Sequence, residues 1–133
     1  MPHTPPARAP ATLVLTGDRH QGHYLVLVDE HPAWLSAGSF TTLCQLALAR
    51  HRTTTGYAPV LPMSILRLRQ ALGLALGSSA RGRSIIETGS SAEYRLNPEI
   101  AHIALAPSFE ELPAPGLLPI DDKADLVRLL PVA

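Results

Sequence analysis

The sequence predicts an α+β domain in which short strands come first, two amphipathic helices follow, and a strand hairpin comes next. Three observations carry that reading. Leu13-Val14-Leu15-Thr16 and Tyr24-Leu25-Val26-Leu27-Val28 are short apolar runs separated by the polar turn Gly17 to Gly22. Apolar residues then recur three and four apart over 37–51 and again over 63–76, the period of a helix with one buried face. Finally, Ile85-Ile86-Glu87-Thr88 and Glu93-Tyr94-Arg95-Leu96 flank Gly89-Ser90-Ser91-Ala92, a hairpin signal.

In chain order, residues 1–11 are rich in Pro and Ala without an apolar period and read as a flexible arm. The two apolar runs form an N-terminal antiparallel hairpin, and Pro32-Ala33-Trp34-Leu35 adds a third short strand. Ser36 caps a helix over 37–51, whose apolar positions are Phe40, Leu43, Cys44, Ala47 and Leu48. Residues 53–59 break it. The helix over 63–76 has the strongest period, with Ile65, Leu68, Leu72, Ala75 and Leu76 on one stripe. At about 100° per residue, Met63, Arg67 and Gln70 point away from that stripe and Arg69 sits on its flank. Residues 77–82 end the helix. Asn97-Pro98-Glu99 reads as the cap, proline and acid of a further short helix. Residues 107–119 hold four prolines and form a linker, and Asp121 to Leu130 is a last helix with acids at its start and Arg128 near its end. The domain proper is therefore 12–106, with 107–133 as linker and short C-terminal helix.

The 133 residues suit one domain, and 46% apolar content is enough for a packed core. With 5% aromatic residues, Leu, Ile, Val and Ala must fill most of it. The single cysteine, Cys44, excludes an intrachain disulfide and a multi-cysteine zinc site, and reads as a small buried hydrophobe. No leader pattern is visible, and no apolar run reaches the roughly 18–20 residues that span a bilayer. The expectation is a cytoplasmic protein without membrane contact. Net charge is zero, but residues 50–96 carry seven arginines against Glu87 and Glu93, while residues 97–133 carry six acids against Lys123 and Arg128. A basic middle with an acidic tail points to an anionic partner.

The order of strands, helix, break, arginine-bearing helix and hairpin resembles the winged helix-turn-helix effector domain of the OmpR/PhoB class of bacterial response regulators. Leu35-Ser36-Ala37-Gly38-Ser39-Phe40-Thr41-Thr42-Leu43 is similar to that family's entry to its first helix. Ile65-Leu66-Arg67-Leu68-Arg69-Gln70-Ala71-Leu72 is similar to its recognition helix, and the hairpin spacing from Thr88 to Tyr94-Arg95 is similar to its wing. The likeness covers about residues 12–97. It implies a three-helix-like core and a C-terminal β-hairpin wing, with the middle helix reduced to something within Thr53 to Leu61, because the chain is shorter there than the family. It also implies a recognition helix over about 63–76 that lies in the major groove of DNA. The DNA-contacting residues would be Ser64, Arg67, Arg69, Gln70, Arg81, Arg83 and Arg95, with Thr88 at a wing phosphate. The family wing has an arginine and two glycines where this chain has Ser90, Ser91 and Glu93. No receiver domain is read in the sequence, so phosphorylation control is not implied.

Other signals in the sequence point away from catalysis and metal binding. Gly77 to Ser84 mimics a phosphate-binding loop, but a helix precedes it and a strand follows, the reverse of what that loop needs. His20, His23 and His31 lack a fixed third ligand for a metal. The serines lack a nucleophile elbow, and no carboxylate pair sits among apolar residues. The sequence thus predicts no enzyme, no cofactor and no metal. It predicts a small transcriptional regulator that binds double-stranded DNA, with a dimer possible. The alternative is a winged-helix protein-interaction module or assembly subunit that does not bind DNA, with the C-terminal segment packing on a partner or a second copy.

Overall fold

The computed structural model describes residues 10–113 and 116–133. In chain order the elements are β1 (Thr12–His20), β2 (His23–Val28), β3 (His31–Ser36), α1 (Ala37–Arg52), β4 (Ala58–Pro59), α2 (Pro62–Leu76), α3 (Ser79–Ser84), β5 (Ile86–Thr88), β6 (Glu93–Leu96), β7 (His102–Leu105) and α4 (Ile120–Leu129), with a 3-10 turn at Pro107–Glu111 before α4. The fold is α+β.

The first sheet has the order β3-β2-β1-β7. Its first three strands form an antiparallel meander in which Leu15 faces Val26 and Val26 faces Ala33. Strand β1 runs through Gly17 to His20, so the expected turn shrinks to Gln21 and Gly22, both at positive φ. Strand β7 joins β1 in parallel, with Leu13 beside Ile103, which makes the sheet mixed rather than antiparallel as expected. The short helix expected after Asn97 does not form. The Asn97 side chain accepts from Glu99 N and donates to Ser84 O, closing a turn. Ile103 and Leu105 then alternate inward along β7 at the period of a strand.

Helix α1 starts as the sequence indicates, with Ser36 Oγ accepting from Ser39 N at 3.3 Å. One of its faces buries Phe40, Leu43, Cys44 and Ala47, and Phe40 stacks on Tyr24 with ring centroids 5.1 Å apart. The reduced helix expected between Thr53 and Leu61 is replaced by β4, which extends the hairpin to three strands in the order β4-β6-β5. Pro59 and Pro62 explain this, because proline removes a helix donor and biases its predecessor toward extended backbone. Tyr94 and Leu96 point inward from β6. The Tyr57 ring closes over Gly89 so tightly that a Cβ there would lie 2.7 Å from Tyr57 Cε1.

Helix α2 buries Ile65, Leu68 and Leu72 and ends on Gly77 at φ 68°. The residues after it, expected to form a loop, make the six-residue helix α3, capped by Ser78 Oγ accepting from Arg81 N. Helices α2 and α3 touch backbone to backbone at Gly73 and Gly82. Helix α2 thus packs on α1 and on the six-residue α3, so the shortest of the three helices comes last and not in the middle as expected. The C-terminal segment contributes to the same apolar cluster through Phe109, Leu112, Leu118, Leu126 and Leu130. Arg52 on α1 pairs with Asp122 and Asp125 on α4. The expected flexible arm lies outside the described residues up to residue 9. Its last residue, Ala11, bonds Asp29 and receives bonds from Ala101 and His102.

Candidate interaction face

The outward face of α2 carries Met63, Leu66, Arg67, Gln70 and Leu74, spaced so that all lie opposite the buried stripe. Three of these five are large and apolar, with Met63 56%, Leu66 48% and Leu74 85% exposed. A groove of about 650 Å³ separates this face from the outer side of β3, where Trp34 is 45% exposed. Arg67 and Gln70 line the groove with Trp34, Pro32 and Leu74.

The other residues nominated for DNA are distributed differently. Arg69 turns toward the hairpin, donating from Nη2 to Ile86 O at 2.7 Å and to Thr88 Oγ1 at 3.1 Å. Its guanidinium stands 5.9 Å from the Tyr94 ring centroid, and its Nε is buried without an acceptor. Burial lowers Arg69 from the ordinary arginine value, Tyr94 opposes that shift, and the Arg83 cation adds to it. Thr88 is therefore engaged by Arg69. Arg81 is half-buried, with Nη2 3.9 Å from Asp29 Oδ2. Arg95 binds Glu87 through Nε at 2.8 Å, donates to Thr55 O at 3.1 Å, and lies 4.6 Å from the Tyr57 ring centroid. Ser64 is half-buried in the first turn of α2. Among the described residues, Arg67 and Arg83 alone of these five arginines make no hydrogen bond or ion pair.

The structure places Met63, Arg67 and Gln70 on the outward side of α2, where the helical period put them, and adds Leu66 and Leu74, which were not singled out from the sequence. The signal was present, since Met63, Leu66 and Leu74 fall on the side of α2 that water should claim. Trp34, on a separate strand, had no such signal. Ser78 to Ser84 does not follow a strand, as a phosphate loop requires. Among the described residues no three His, Cys, Asp or Glu side chains group as metal ligands. No helix among them is long and apolar enough to cross a membrane. No protein family, no curated protein and no solved structure matches this chain.

Proposed function

We propose that this chain is a winged-helix binding module, not an enzyme, that engages a protein partner through the outward face of α2. One observation carries the reading: the face that offers Arg67 is apolar, with Met63, Leu66 and Leu74 turned to solvent and Trp34 across the groove. Contiguous exposed apolar surface marks interaction sites, and Trp, Met and Arg are enriched at protein interfaces where Lys and Glu are depleted. Among the described residues Arg67 is the only arginine, lysine or acid lining the groove. The partner therefore presents apolar side chains around a carboxylate, to which the Arg67 fork donates. A photo-crosslinking residue at position 70 tests this in cells. A discrete adduct with one protein, lost in Leu74→Asp, is the expected result. No protein adduct, together with tight duplex binding by the purified chain, overturns it.

Double-stranded DNA is the second reading, and a specific arrangement favours it. Helices α2 and α3 are joined by the short Gly77-Ser78 turn and lead directly into the hairpin, and each helix carries one unpaired arginine, Arg67 and Arg83. This is an order of helix, turn, helix and hairpin, in which the longer α2 and not the six-residue α3 holds the expected recognition segment 63–76. On this reading duplex affinity falls with salt at a slope of about −0.9 per neutralised phosphate, and Arg67→Ala costs about 1–3 kcal/mol.

A further inference from the structure

A second cleft, of about 410 Å³, lies between the end of α1, the Thr54–Gly56 loop and β6. Among the described residues two arginines line it, Arg50 and Arg95, and no carboxylate does. Gly56 lies between them at φ 79°, and a Cβ there would sit 3.8 Å from Arg50 Cα and 3.9 Å from Arg95 Cβ and Cδ.

Both guanidinium groups are held by the fold. Arg50 donates from Nη1 to Ile100 O at 2.7 Å, and from Nη2 to Asn97 O at 2.6 Å and Leu96 O at 3.4 Å. The turn after β6 thus wraps around its head. Arg95 is fixed by Glu87, Thr55 O and the Tyr57 ring. A guanidinium has five N–H donors. Among the described residues Arg50 leaves its Nε and one Nη1 hydrogen unspent, and Arg95 leaves one hydrogen of Nη1 and both of Nη2. Glu87 is the one carboxylate bonded to either arginine.

We infer that the Arg50–Arg95 cleft is a binding site for a phosphate group, held by the unspent guanidinium donors of both arginines and by the Thr54 hydroxyl at the rim. The reasoning rests on charge and on entropy. Two cations brought together cost electrostatic energy that a shared dianion removes. Burial lowers Arg50 from its ordinary value and the neighbouring Arg95 cation lowers it further, while Glu87 pairs with Arg95 and no carboxylate among the described residues pairs with Arg50. Because their other donors are already anchored, the two forks lose little freedom on binding. Planar forks match a tetrahedral oxyanion. The site is independent of the α2 face, so each reading stands or fails separately.

The test uses the full chain with inorganic phosphate as the probe. Thermal melts and isothermal titration are run at constant ionic strength, with sodium chloride replacing phosphate in the control. Saturable, single-site phosphate binding with a matching rise in Tm is expected. Arg95→Gln is expected to weaken it by about tenfold, the loss of one charge-assisted hydrogen bond. Arg50 holds three carbonyls, so its replacement risks the fold. Thr54→Glu avoids that risk, because residue 54 is exposed. It places a carboxylate in the mouth of the cleft, and is expected to raise the Tm in the absence of phosphate and abolish the phosphate response. A 12-base-pair duplex without terminal phosphates then distinguishes the sources: competition with phosphate identifies a nucleic-acid backbone, and no competition identifies a free or monoester phosphate. An equal Tm rise in chloride, or an undiminished phosphate response in Thr54→Glu, overturns the site.

Discussion

Substituting Gly82 by alanine sets two rules against each other. Gly82 lies inside α3, and in an exposed helix this change stabilises by about 0.5–1 kcal/mol through lower backbone entropy. Here the new Cβ lies 2.5 Å from Gly73 N and 2.7 Å from Arg69 O and Gly73 Cα. All three are backbone atoms of α2, which no rotamer change moves aside, and carbon contacts are relaxed only at about 3.5–4.0 Å. The helices must part by roughly an ångström, which draws α3 away from α2 and pulls on Ile85, fully buried just beyond it. Overpacking of this kind costs about 1–3 kcal/mol, and more when backbone must shift. After the propensity gain, a net loss of about 1–3 kcal/mol remains, or roughly 4–12 °C in Tm for a chain of this size. Gly73→Ala is the control. Its Cβ meets Ser79 Cα at 3.1 Å and Ser78 O at 3.4 Å, tight but tolerable. Its stability is expected within about 0.5 kcal/mol of the wild type, as the propensity gain offsets the strain. Urea unfolding followed by far-ultraviolet circular dichroism reads both variants, and an unchanged slope confirms that the folded state was the one affected. If Gly82→Ala is as stable as the wild type, or if the two variants behave alike, helices α2 and α3 do not cross at this contact.

The same geometry governs Gly17 more severely. A Cβ there would lie 1.8 Å from Ser108 O, so Gly17→Ala must lift the 3-10 turn off β1 and uncover the fully buried Phe109. A loss of about 3 kcal/mol or more is expected, with trypsin cutting at Lys123 and Arg128 under conditions that leave the wild type whole; resistance equal to the wild type refutes the close approach. Cys44 is fully buried, and burial pushes its thiol well above the usual cysteine range. Its alkylation by iodoacetamide at pH 8 is expected to follow the urea unfolding curve, because the thiolate forms only where the chain opens; fast modification of the native chain contradicts that burial.

Local pattern determined much of this protein from sequence. The three-and-four spacing of Ile65, Leu68 and Leu72 placed α2 and its buried stripe. The Ser36 hydroxyl set the start of α1, and alternation placed Tyr94 and Leu96 on the inner side of the hairpin. Each of these depends on neighbours a few residues away, which a sequence displays directly. Tertiary structure decided the rest. Helix α3 is six residues of Gly, Ser, Arg and Ala without an apolar period, and it forms where α2 offers Gly73 for Gly82 to pack against. Strand β7 needed β1, about 90 residues earlier, to make His102 to Leu105 a parallel strand instead of the continuation of a helix. The helical period put Arg67 opposite the buried stripe and Arg69 on its flank, but it did not show that Arg69 spans to Ile86 O and Thr88. The position of the hairpin decides that contact. Arg50 and Arg95 are 45 positions apart, and only the turn after β6, closing around the end of α1, brings two like charges into one cleft. Contacts between distant residues carry no local period, so the bonds of Arg69 and the pairing of Arg50 with Arg95 in one cleft became visible only once the chain was folded.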